Sequence, residues 1–205
     1  MRHAVAVLLL LLATTAPALA DSPPRSRYFF GMGLVVRSAP SQLGSIGGVR
    51  HESYVARTIA TPQAQLDLDA GMRWRAGLQL GPALFVAIDS GFGIVEIPDD
   101  PQMSAPFRQG SSATMLGVAG LRGELRHSTL GVELAGGFRH VTYCVGESLD
   151  VHEGYSGFQA VAELRVRGEL RLGPAAMLGA TVGTSLIDRG AWVGSLDVTF
   201  RPPRR

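Results

Sequence analysis

The sequence predicts an all-β protein: an eight-stranded antiparallel up-and-down transmembrane β-barrel after a cleaved signal peptide. Three observations predict it. Residues 64–80 alternate almost without a slip, with Ala64, Leu66, Leu68, Ala70, Met72, Trp74, Ala76, Leu78 and Leu80 apolar and Asp67, Asp69, Arg73 and Arg75 among the residues between them. Strict alternation defines a strand with one apolar and one polar face. The same two-residue period recurs along the chain behind a secretory leader. Export plus repeated half-apolar strands turns the apolar faces towards lipid and the charges into a barrel lumen.

The leader comes first. Arg2 and His3 form a basic start, Val5 to Leu12 an apolar stretch, and Ala18-Leu19-Ala20 a small-residue cleavage site, so residues 1–20 read as a signal peptide and 21–205 as one barrel domain. The apolar run is too short to span a bilayer comfortably, and Pro17 lies at its end. No Cys follows the cleavage site to carry a lipid, and residues 21–205 contain no second apolar stretch near twenty residues, which excludes a helical membrane protein. Arg is the only strong base: 19 Arg and no Lys stand against 17 Asp and Glu, a net charge of +2 that argues for no nucleic-acid partner. The chain also lacks Asn, so it has no N-glycosylation acceptor, and Cys144 is alone, so it forms no intrachain disulfide.

Glycine, 26 residues of it, is scattered through the apolar runs. That is costly in helices, but in a small barrel it lets strands coil and leaves room for large lumen side chains. An internal repeat at an offset of 92 residues matches Met72-Arg73-Trp74-Arg75 and Leu78-Gln79-Leu80-Gly81-Pro82-Ala83 with Leu164-Arg165-Val166-Arg167 and Leu170-Arg171-Leu172-Gly173-Pro174-Ala175. Each copy is strand, short turn, strand, because Pro cannot sit inside a central strand. Counting from these turns places eight strands near 28–37, 63–80, 83–95, 112–126, 129–143, 157–172, 175–186 and 191–200. Connections at Gly81-Pro82, His127-Ser128 and Gly173-Pro174 are tight; the others span about 38–62, 96–111, 144–156 and 187–190, and the first three of these are long and polar. Short turns on one rim and long loops on the other match outer-membrane barrels, with turns and both termini periplasmic.

The alternation sorts the side chains. Outward fall Phe30, Met32, Leu34 and Val36; Leu84, Val86, Ile88, Phe92 and Ile94; Leu130, Val132, Leu134 and Phe138; and Ala162, Leu164, Val166, Leu170 and Leu172. Inward fall Arg37, Asp67, Asp69, Arg73, Arg75, Asp89, Arg122, Glu124, Arg126, Glu133 and Arg139, followed by Glu163, Arg165, Arg167, Glu169, Arg171 and Asp197. An eight-stranded barrel is just wide enough to be filled by side chains. Its charges must pair, since an unpaired buried ion costs several kcal/mol, so the lumen is expected to be an Arg–carboxylate plug with no conducting pore. Tyr28, Phe30 and Phe200 fall at the periplasmic interface, and Phe92, Phe138, Tyr143, Phe158 and Trp192 at the outer one, while Trp74 sits mid-strand.

On these features the chain resembles the small eight-stranded outer-membrane β-barrel proteins of Gram-negative bacteria, the OmpA/OmpX-like group. The most specific element is the last strand, Trp192-Val193-Gly194-Ser195-Leu196-Asp197-Val198-Thr199-Phe200, which resembles the family's C-terminal signal for the barrel-assembly machinery, although Arg201-Pro202-Pro203-Arg204-Arg205 follows the aromatic that usually ends such chains. The resemblance implies an integral outer-membrane protein with a structural or surface-interaction role. Its implied partners are outer-membrane lipids, lipopolysaccharide and, during biogenesis, the assembly machinery; a monomer is expected.

No catalytic, cofactor-binding or metal site is assigned. His51-Glu52-Ser53 brings a base, a carboxylate and a hydroxyl together, but neighbouring residues of an extended chain point apart, and the segment falls in a long loop. His140 and His152 lack zinc-ligand spacing. Asp99-Asp100, Glu147, Asp150 and Glu153 make the outer loops acidic, suited to divalent cations that bridge lipopolysaccharide or simply to solvent. Gly31-Met32-Gly33 and Gly44-Ser45-Ile46-Gly47-Gly48 lack the strand–loop–helix context of a phosphate loop. Two alternatives stay open: an outer-membrane enzyme acting on lipid A or other lipids, and a secreted lipocalin-like carrier of an apolar ligand. The carrier has the same strands with Leu66, Leu68 and Met72 turned inward.

Overall fold

A computed structural model describes residues 27–40, 48–50, 53–55, 66–96, 107–125, 127–146 and 152–202. Its strands are β1 (Tyr28–Pro40), β2 (Gly48–Arg50), β3 (Ser53–Val55), β4 (Leu66–Gln79), β5 (Leu84–Glu96), β6 (Phe107–Glu124), β7 (Ser128–Gly146), β8 (His152–Arg171), β9 (Ala176–Ser185) and β10 (Trp192–Phe200). In chain order β1, β4, β5, β6, β7, β8, β9 and β10 each pair with the next, all antiparallel, and β1 pairs with β10 from Phe30↔Phe200 to Ser38↔Trp192. The sheet therefore closes into an eight-stranded barrel and leaves no free edge between these strands.

The turns fall where Gly-Pro places them. Leu80 N–H donates to Leu84 C=O (2.9 Å) and Leu172 N–H to Ala176 C=O (3.0 Å) across the two repeated turns, and Leu125 N–H to Ser128 C=O (2.7 Å) across the third. The start of β1 and the finish of β10 share this turn end of the barrel; the other connections leave from the opposite, loop end.

Two features depart from the sequence expectation. The interval 38–62, expected to carry no strand, holds the hairpin β2–β3, which leans on β8 through Val49↔Gly154. Three-residue strands are too short to show a period, so alternation cannot reveal them. The wall is also uneven. β6, β7 and β8 run for 18, 19 and 20 residues, whereas β9 and β10 run for 10 and 9. β6, β7 and β8 all overrun their expected loop-end limits (112, 143 and 157), because the added stretches 107–111, 144–146 and 152–156 each hold a glycine and no sustained apolar alternation, and so read as loop.

The two faces of the wall are sorted by parity. Phe30, Met32, Leu34, Leu84, Val86, Ile88, Phe92, Ile94, Leu130, Leu134, Phe138, Leu164, Val166, Leu170 and Leu172 are exposed on the outside, with Val36, Val132 and Ala162 half-buried between neighbours. From Leu84 to Ile94 the band runs ten residue steps, about 33 Å of strand. At the tilt of about 40° usual in such barrels this makes a belt about 25 Å tall. Aromatics collect at its loop-end margin: Trp74 packs on Phe92 at 4.8 Å, and Phe138 meets Phe158 at 6.0 Å. Trp74, which sits mid-strand by sequence, thus joins that margin through its neighbour. Tyr28, Phe30 and Phe200 are exposed at the turn end. Tyr143 lies outside the described side chains.

The charged lumen as candidate functional site

The interior polar positions come from every barrel strand: odd-numbered residues face the axis in β1, β4, β5, β7, β8, β9 and β10, and even-numbered ones in β6. Among the described residues eight arginines and six carboxylates are buried. Of the residues predicted inward, thirteen are buried, Glu124 and Arg171 are half-buried, and the side chains of Asp67 and Arg126 lie outside the described set.

Arg75 of β4 is the hub. Its Nε and Nη2 donate to the two Asp89 oxygens (2.6 and 2.9 Å), while Nη1 and Nη2 donate to the two Glu133 oxygens (2.6 and 2.8 Å). A guanidinium presents a planar fork that suits two carboxylates at once. From Asp89 the network rises towards the loop end. Arg165 Nη1 donates to Asp89 (2.7 Å) and its Nε to Glu163 (2.8 Å), and Glu163 in turn accepts from Arg37 Nε (2.8 Å). Towards the turn end, Arg73 lies 3.5 Å from Asp89 and 2.5 Å from Asp197. Arg167 binds both Asp197 oxygens, Thr181 and Thr199 (3.0 Å each) and Glu169 (3.0 Å), and Glu169 accepts from Arg201 (2.8 Å). One connected lattice therefore links Arg37 at one end of the lumen to Arg201 at the other. A smaller island near the loop end joins Arg139 to Asp69 (2.9 Å) and Gln159 (2.8 Å), with Ser112 donating to Asp69 (2.6 Å).

The turn end is closed differently. Phe29 and Phe85 point inward and meet edge to face at 5.9 Å, with the Arg122 guanidinium 5.5 Å from both rings and Arg201 5.5 Å from Phe29. Each ring lies over a glycine directly across the ladder, Phe29 over Gly77 and Phe85 over Gly120, and a Cβ at either glycine would enter the ring. Cation–π contact suits a desolvated guanidinium with aromatic neighbours.

Sequence reasoning missed this stopper and Arg201. Both were within reach of parity: Phe29 and Phe85 continue the inward series of β1 and β5, and Asp197, Thr199 and Arg201 continue that of β10. Their aromatic character, and a position past the final Phe, pointed elsewhere. The structure also places the residues weighed for other chemistry. His51 and Glu52 lie outside the described residues, as do Asp99, Asp100, Glu147 and Asp150, and the side chains of Ser53, His152 and Glu153 are not described. His140 is on the outer wall against Phe158 at 4.6 Å, and His127 is exposed at the turn end. Among the described residues no cluster of three or more His, Cys, Asp or Glu is placed to hold a metal ion. Leu68 and Met72, which a soluble carrier would turn inward, are on the outside, while Arg73, Glu163 and Arg165 face the axis.

An even-stranded closed barrel with grease outside and paired ions inside defines the class: this is the fold of the small eight-stranded outer-membrane barrels. Neisserial surface protein A (NspA) is similar to it over 88% of this chain and 99% of its own length, at 10% identity and a TM-score of 0.52. Ail, the attachment invasion locus protein of Yersinia pestis, matches over 87% of this chain and 99% of its own at 8% identity and a TM-score of 0.49. The N-terminal β-barrel domain of Pseudomonas aeruginosa OprF matches over 87% and 99% at 10% identity and 0.46. At such identities the likeness is one of fold. No protein-family model matches the chain, and no curated protein matches it in sequence.

Proposed function

We propose that this chain is an integral outer-membrane β-barrel with a structural or surface-interaction role and a lumen closed to ions. The observation that carries the proposal is the inverted polarity of the wall. Leu34, Ile88, Ile94 and Leu196 are 55–70% exposed, whereas Glu133 and Arg139 are fully buried. In water that arrangement wastes the burial of many large side chains, about 1.5–3 kcal/mol each; in a bilayer it is the favourable one. The closed lumen follows from the connected ion lattice and the aromatic stopper below it. The chain is not a catalyst, and it enters the membrane after removal of residues 1–20, with its last strand recognised by the assembly machinery and both termini periplasmic. Lipids and lipopolysaccharide surround it as a monomer.

Cell fractionation tests the core of this reading. The protein is expected to leave membranes only in detergent and to migrate on gels differently before and after heating; release into aqueous buffer overturns it. Amino-terminal sequencing of the mature protein is expected to begin at Asp21, and planar-bilayer recording to give no steady conductance.

A further inference from the structure

Carboxylates run short at the turn-end mouth of the lumen. The last two inward positions of the strands there carry Arg122, Arg171 and Arg201 against Glu124 and Glu169, with Arg27 exposed just below β1. Glu169 is already shared, since it accepts from Thr129, Arg167 and Arg201. The lattice above cannot lend an acid: six buried arginines there face five buried carboxylates.

Two arginines carry the surplus. Among the described residues the Arg171 side chain makes no hydrogen bond or ion pair, and its Nε is buried without an acceptor. Arg201 is 3% exposed. Its Nη2 donates to Glu169 (2.8 Å) and its Nη1 stands 3.9 Å from Glu124, but its Nε is likewise buried without an acceptor. Buried charged donors are costly to leave unmade.

The internal repeat shows that turn-making does not explain Arg171. Gln79 holds the equivalent position, and its amide donates to Gly81 C=O (2.6 Å) and Pro82 C=O (3.1 Å), bracing its own turn. Arg171 precedes the same Leu-Gly-Pro-Ala turn and braces nothing in it.

The topology brings the two arginines within reach of one ligand. β8 and β10 are separated only by β9; Arg171 pairs with Met177, and Arg201 N–H donates to Ala175 C=O (2.7 Å). Their backbones are therefore two strand spacings apart, about 10 Å. Both residues are inward-facing, and an oxyanion between two guanidinium forks is a strong, charge-assisted arrangement. The Phe29–Phe85 stopper lies over Arg201 and closes the way further in.

We propose that the turn-end mouth is a blind anion site, in which Arg171 and Arg201 hold the phosphate group of a monoester that enters from the turn side. A phosphate monoester carries about −1.5 to −2 at neutral pH. That matches the surplus in the lumen, where nine buried or half-buried arginines stand against seven such carboxylates among the described residues. Soluble and lipid phosphate monoesters share this chemistry, and the test separates them.

The test titrates inorganic phosphate calorimetrically into the full chain, folded in dodecylmaltoside micelles at physiological sodium chloride. Saturable binding is expected. R171Q, which installs the residue of the other repeat, is expected to weaken it about tenfold, whereas R189Q, an exposed arginine at the loop end, is expected to leave it unchanged. Heat-modifiable migration checks that both variants are folded. Absence of saturable binding by the native chain overturns the site, as does equal binding by R171Q or equal weakening by R189Q. Short-chain phosphatidic acid then identifies the source. Binding several-fold tighter than that of inorganic phosphate and weakened by R171Q assigns the site to lipid headgroups; R171Q-sensitive binding no tighter than that of phosphate assigns it to soluble monoesters.

Discussion

The lumen and the outer wall are built from the same strands, one residue out of step, yet they obey opposite rules. In the lumen a side chain matters through its partners. Arg75 is held by four hydrogen bonds to two carboxylates, and removing one carboxylate leaves a buried charge exposed to its own desolvation cost. On the wall a side chain matters through its surroundings, and most apolar residues there are interchangeable provided that they stay apolar. The lumen is thus a specific structure and the wall a composition.

Substitutions can break this contrast, and the largest effect belongs to the lumen. Glu133→Ala leaves Arg75 with Asp89 alone and is expected to cost about 3–5 kcal/mol in denaturant unfolding from lipid vesicles. A loss below about 1 kcal/mol would mean that the lattice tolerates a missing member and is less specific than its geometry implies. Leu196→Arg puts a charge near the middle of the apolar band and is expected to cost about 2–4 kcal/mol in the same assay, whereas Leu196→Val is expected to be close to neutral. Gly120→Val drives a side chain into the Phe85 ring and is expected to cost about 1–3 kcal/mol through overpacking. Trp74→Leu keeps the wall apolar and loses only the contact with Phe92, about 1 kcal/mol. Salt sharpens the contrast from another side: because buried pairs are weakly screened, raising sodium chloride tenfold is expected to leave the unfolding midpoint nearly unchanged.

The fold was legible because a period of two is readable from one strand at a time, and Gly-Pro marked two of the turns. Outward and inward sets followed from parity, which is why Asp89, Glu133 and Arg165 were assigned to the lumen before their partners were known. Pairing was not legible. Nothing in the sequence says that Arg75 takes both Asp89 and Glu133, or that Arg37 meets Glu163 across 126 residues, because barrel closure and strand register decide it. The glycines opposite Phe29 and Phe85 likewise acquire meaning only once cross-strand register is known. Where outward positions turned polar above the apolar band, as at Ser111 and Ser156, hydropathy alone mistook the continuing wall for loop.

The connected ion lattice also bears on how the molecule comes apart. Arg37 of β1 reaches Glu163 of β8, and Arg73 of β4 reaches Asp197 of β10, so these bonds join segments more than 120 residues apart and form only when the first and last strands meet. Their stabilisation arrives after the chain has met the entropy of closure, on the native side of the barrier. Such late contacts slow escape from the native state far more than they speed entry into it. The finished barrel is accordingly a long-lived object, protected by its rate of opening as much as by its depth in free energy.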